Sequence, residues 1–121
     1  MDNTTRSLWL AEAERYFEDC QTAATCVRAS ELALRMHVTQ ARLARAFHAT
    51  VGIRVKDYFT ARQIERAQEL LRTTDRGTAE IAAGAGFGTP RSFFRAFRRS
   101  TGMTPTEYRQ KMSLAAADFR P

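Results

Sequence analysis

A chain of 121 residues allows one ordinary domain or two very small ones. Nineteen Lys and Arg against 13 Asp and Glu leave a net charge of +6. Only Lys56 and Lys111 are lysines, and the balance suits DNA, RNA, an anionic membrane or an acidic partner alike. Two cysteines are too few for a disulfide scaffold. Scattered His37 and His48, without a Cys-x-x-Cys, argue against zinc, so no metal and no cofactor are expected. No apolar run approaches the ~20 residues that span a bilayer, and no apolar segment follows Met1–Arg6 as in a secretory signal. A cytoplasmic chain with reduced thiols is expected.

From Ser7 to Cys26 neither Gly nor Pro occurs. Trp9, Leu10, Ala13, Phe17, Ala24 and Val27 recur near helical spacing, which predicts a first long helix. Cys20 and Cys26 then share that helix and point to different faces as packing residues. A second helix is expected over Ser30–Met36. Ala29 before it cannot cap, so this helix lacks a capping residue unless Ser30 takes that role. A third runs over Gln40–Val51 with Thr39 as its N-cap, and a fourth over Val55–Thr73 with Ile64, Ala67 and Leu71 as its apolar stripe. Asp75-Arg76-Gly77 reads as a loop. The fifth helix covers Thr78–Ala85, and Gly86 follows it. Thr89-Pro90 opens a sixth, a capping Thr ahead of a Pro whose missing N–H costs nothing there. Thr104-Pro105-Thr106-Glu107 opens a seventh with a capping box. The tail from Ser113 to Pro121 is expected to fray.

The chain repeats itself. Glu31-Leu32-Ala33 returns as Glu80-Ile81-Ala82, offset by 49, and Arg45-Ala46-Phe47 as Arg95-Ala96-Phe97, offset by 50. Gly52 returns as Gly102 and Tyr58 as Tyr108. The second copy therefore carries one extra residue in or near its turn. Each copy is a short helix, a tight turn and a longer helix. Small Ala33 and Ala82 sit where the two helices would cross, and Gly86 supplies a positive φ that His37 must adopt less comfortably in the first copy. This is the helix-turn-helix pattern. The predicted fold is all-α: seven helices forming two helix-turn-helix modules, 7–54 and 78–112, joined by a long connector helix, 55–73, within a single domain, 1–121.

Projected at 100° per residue, the third helix turns Leu43, Ala46 and Phe47 inward and Ala41, Arg45 and His48 outward. The sixth turns Phe93, Ala96 and Phe97 inward and Arg91, Arg95 and Arg98 outward. The early residues of a recognition helix meet base edges in the major groove. Base readout is therefore expected from Arg45, Arg91 and Arg95, with Ala41 facing a thymine methyl and Gln40 and Arg42 flanking. Thr39 and Thr89, at helix N-termini, suit phosphate. His48, Lys56, Arg98, Arg99 and Arg109 are further phosphate candidates. Phe94, on the flank of the sixth helix, either packs under the seventh or lies against the DNA backbone.

Gly86, Phe87, Phe93, Phe97, Gly102, Pro105, Tyr108 and Arg109 resemble the signature of the AraC/XylS family of bacterial transcription regulators. Leu32, Ala33, Leu43, Phe47 and Gly52, with connector residues Ala67, Leu70 and Leu71, fit the same pattern. The likeness extends over about Ser7–Lys111. It implies a two-module domain that binds promoter double-stranded DNA and activates transcription by contacting RNA polymerase. Unlike, covalently joined modules imply an asymmetric site bound by a monomer. The rival readings are a non-specific architectural DNA-binding protein and a DNA-binding fragment of a larger regulator. An enzyme, such as a methyl acceptor of DNA repair, would need an activated thiolate, and neither Cys20 nor Cys26 stands in such a setting. No catalysis is expected.

Overall fold

The computed structural model describes residues 3–118, and among them there are seven helices and no strand. They are α1 (Asn3–Ala23), α2 (Ala29–Arg35), α3 (Gln40–Val51), α4 (Val55–Thr73), α5 (Thr78–Gly84), α6 (Pro90–Thr101) and α7 (Pro105–Asp118). The chain divides into two compact units between Thr60 and Ala61.

In the first unit, α1 buries Ala13, Tyr16, Phe17 and Cys20, which recur at i, i+3, i+4 and i+7. The helix ends earlier than its composition suggests. Ala24 takes a φ of 56°. The Thr25 N–H then donates to the Cys20 carbonyl at 3.0 Å and the Ala24 N–H to that of Gln21 at 3.3 Å, the Schellman closure usually made with glycine. Cys26 therefore lies beyond α1, not on it, and the Cys20 thiol approaches its carbonyl at 3.8 Å. Both thiols are free.

The N-cap of α2 is Arg28, not Ser30, and no side chain of α2 caps it. Tyr16 of α1 serves there instead. Its phenol oxygen accepts from the Arg28 N–H at 2.9 Å and its O–H donates to Glu31 Oε2 at 2.9 Å. Burial pushes the phenol well above the ordinary tyrosine range, so it stays a donor at any working pH.

The two helix-turn-helix turns are built alike. After α2, His37 (φ 58°) donates to the Leu34 carbonyl and Val38 to that of Ala33, at 3.1 and 3.0 Å. After α5, Gly86 (φ 84°) donates to Ala83 and Phe87 to Ala82, at 3.0 and 2.9 Å. These are two Schellman motifs at an offset of 49. The next N-caps, Thr39 and Thr89, stand at an offset of 50. Gly88 is thus the extra residue of the second copy.

The first core joins the buried residues of α1 to Leu32, Ala33, Leu43 and Phe47, and closes on Val55, Tyr58 and Phe59 from the start of α4. The second joins Ile64, Ala67, Leu70 and Leu71 from the rest of α4 to Ile81, Ala82, Ala85, Phe93, Phe97 and Tyr108. The stretch 55–73 is accordingly no separate spacer. Its opening turns close one core and its remainder founds the other. Corresponding rings hold each closure: Phe47 and Tyr58 lie 5.7 Å apart, Phe97 and Tyr108 5.4 Å.

At α7 the predicted capping box forms, the Thr104 N–H donating to Glu107 Oε1 and the Glu107 N–H to Thr104 Oγ1, both at 3.1 Å. The helix continues to Asp118, so Ser113–Asp118 is helical and not frayed. The run Ala115-Ala116-Ala117 has the highest intrinsic helix propensity available. Residues 119–121 lie outside the described residues.

Candidate nucleic-acid interface

Each long helix of a module is fixed from three directions. A Thr hydroxyl caps its start, Thr39 accepting from the Arg42 N–H at 3.1 Å and Thr89 from the Ser92 N–H at 3.0 Å. A left-handed glycine ends it, Gly52 for α3 and Gly102 for α6. Buried side chains hold one face: Leu43 and Phe47 in α3, Phe93 and Phe97 in α6. The opposite face is therefore set rigidly outward, which is what a surface that must match another surface requires.

On that outward face Gln40, Ala41, Arg42, Arg45 and His48 of α3 are all exposed, as are Arg91, Arg95, Arg98 and Arg99 of α6. Lys56, Thr39 and Thr89 are exposed as well. Neither Arg42 nor Arg45, and neither Arg91 nor Arg95, is drawn into an ion pair or side-chain hydrogen bond with another described residue. Their guanidinium forks remain available to an outside acceptor. Arg98 has an internal influence. The Glu107 carboxyl is held below the ordinary glutamate range first by the Thr104 N–H and hydroxyl, and further by the Arg98 charge.

Arg109 is placed elsewhere. Its half-buried side chain donates from Nε to the Leu71 carbonyl at 3.2 Å and from Nη2 to that of Thr74 at 3.0 Å, closing the end of α4. Arg72 completes this corner by donating to the Tyr108 hydroxyl at 2.9 Å. The Arg109 guanidinium is committed to the fold and does not belong to the outward face. Phe94 is 45% exposed, so packing against its neighbours covers it only in part.

The outward face has a period that its arginines alone do not reveal. Arg91, Phe94, Arg95 and Arg98 form one i, i+3, i+4, i+7 stripe, and Ala41, Ala44, Arg45 and His48 form its counterpart, every member exposed. Phe94 and Ala44 are the members that inspection of charge overlooks, although the spacing itself was present in the sequence. The two units also differ in charge. Residues 1–60 hold eight basic and seven acidic side chains, and residues 61–121 hold eleven and six. The second unit thus carries most of the positive field.

Among the described residues no group of His, Cys, Asp and Glu could hold a metal ion, and no helix is long and apolar enough to cross a membrane.

Residues 32–111 match the family described as "Helix-turn-helix domain". The HTH-type transcriptional regulator CdhR of Pseudomonas aeruginosa is 28% identical over 93% of this chain and 32% of its own length. A protein of Streptomyces lividans named as an AraC-like transcription regulator is 35% identical over 74% of this chain and 32% of its own. The chain thus spans about a third of the length of these curated relatives. Among solved structures, the C-terminal domain of the two-component response regulator yesN from Fusobacterium nucleatum superposes with a TM-score of 0.74 at 26% identity, covering 89% of this chain and 99% of that one. The DNA-binding domain of AdpA, solved in complex with a target DNA, shares the fold with a TM-score of 0.70 at 24% identity, covering 82% and 90%.

Proposed function

This chain belongs to the AraC-type helix-turn-helix family, and on that premise we propose that it is a sequence-specific DNA-binding regulator of transcription. Its reading helices are α3 and α6, each entering a major groove of one asymmetric site, so that a single chain engages two unlike half-sites. Arg45 reads the first half-site; Arg91 and Arg95 read the second, each able to grip a guanine edge at two points. Gln40, Ala41 and Arg42 flank the first contact. Thr39, His48, Lys56, Thr89, Arg98 and Arg99 meet phosphate and fix the register. The protein acts in the cytoplasm without catalytic chemistry, and it activates by presenting another surface to RNA polymerase.

One observation carries this reading. Twice in the chain, at a constant offset, a capped helix is anchored by buried apolar residues and turns outward exposed arginines that have no ion-pair partner among the described residues. A protein that only neutralised phosphate would have no need to hold arginines at the same position of two rigid helices.

The test is selection of bound duplexes from a random pool, repeated with Arg45→Ala and with the pair Arg91→Ala and Arg95→Ala. A bipartite asymmetric motif is expected, one half degraded by each variant. A chain that enriches no motif at moderate salt, with variants weaker on every sequence, would be an architectural phosphate binder instead.

A further inference from the structure

We infer that Phe94 reads the C5-methyl group of a thymine in the half-site taken by α6, beside the bases met by Arg91 and Arg95. This rests on α6 being a major-groove reading helix.

Phe94 is not a core residue left over from packing. The core places of α6 are filled by its neighbours, Phe93 and Phe97, at 1% and 0% exposure, while Phe94 stands 45% exposed. It stacks on no other described ring. It stands in the middle of a guanidinium stripe, three residues after Arg91, one before Arg95 and four before Arg98. A large apolar ring there lacks cover in water, and no purely phosphate-binding role would use it.

The surroundings specify what could cover it. Three positive side chains on the same stripe call for a negatively charged partner. The uncharged ring among them calls for one apolar point on that partner. The floor of the major groove offers such a point at the methyl group of thymine. The first module agrees with this. Ala44, fifty residues earlier and immediately before Arg45, is also apolar and exposed. Each reading stripe thus has an apolar place followed by an arginine, and the longer side chain of Phe94 gives the second module the greater reach.

Replacing thymine by uracil removes only the methyl group. The full chain would be titrated against its selected duplex with each thymine replaced in turn, alongside Phe94→Ala. One replacement in the second half-site should weaken the wild type about three- to fivefold, the loss of roughly one buried methyl group. Phe94→Ala should be weakened on the thymine duplex and indifferent to that same replacement. Its circular dichroism should match the wild type, because Phe93 and Phe97, not Phe94, fill the core places of α6. If every replacement affects both proteins equally, Phe94 does not read a methyl group, while the regulator reading stands. A Phe94→Ala variant weaker by one factor on all sequences would place the ring against the sugar-phosphate backbone and overturn the inference. A pool that yields no motif would remove the regulator reading and this inference with it.

Discussion

Arg109 offers a sharp separation between folding and binding. Its charge and its place near the reading helix suggest a phosphate contact, but its guanidinium donates to the carbonyls of Leu71 and Thr74. Arg109→Ala leaves both acceptors without that partner. A hydrogen bond from a charged donor contributes about 1.5–3 kcal/mol, and a cation at a helix C-terminus about 0.3–1 kcal/mol more. The corner is only half-buried, and water recovers part of both bonds, so about 2 kcal/mol is the expected loss. For a unit of this size that displaces the melting midpoint by roughly 8–16 °C. The companion variant is Arg99→Ala, exposed and on the outward side. It should melt like the wild type and reduce the slope of log K against log salt by about 0.9, one phosphate contact. Measured side by side in the cold, where both variants are folded, Arg109→Ala should keep the wild-type slope. An Arg109→Ala protein of unchanged stability with a shallower salt slope would refute the reasoning, for the side chain would then serve DNA rather than the end of α4.

Two further expectations concern the turns and the caps. His37 holds a φ of 58° where the second module has Gly86. A left-handed non-glycine residue costs about 1–2 kcal/mol, and glycine adds back about 0.5–1 kcal/mol in chain entropy. His37→Gly should therefore stabilise the first unit by about 0.5–1 kcal/mol, read as a higher urea midpoint at constant slope; a lower midpoint would contradict the strain. The lowered Glu107 pKa contributes stability that is complete above the ordinary glutamate range and is lost as pH falls through the depressed value. Acid titration of the melting temperature should accordingly fall less steeply in Glu107→Gln, and curves of equal steepness would show that the capping charge does not matter.

What the sequence declares about this fold is local. Thr39, Thr89-Pro90 and the Thr104–Glu107 box mark the starts of α3, α6 and α7 because each cap is made within three residues. The end of α1 was illegible because Ala24, not glycine, takes the left-handed position. The capping of α2 was illegible for a different reason: the group that meets Arg28 and Glu31 comes from Tyr16, on another helix. The same distinction runs through the interface. The outward arginines follow from helical period, and that period also contains Phe94 and Ala44 once apolar exposure is counted as a signal. That Arg109 turns inward could not be read, because its acceptors lie 35 and 38 residues away.

The division of α4 bears on how the chain comes to fold. Starting a helix is the costly step, with a nucleation factor on the order of 10⁻³, whereas lengthening one adds a hydrogen bond for each residue fixed. The two cores are distinct, yet both are built on this one helix. A core that condenses first holds its own turns of α4 as helix, and the remaining turns can grow from them. The second core to assemble then inherits its founding helix already nucleated, so two clusters that share no buried residue become kinetically dependent on each other through a single start.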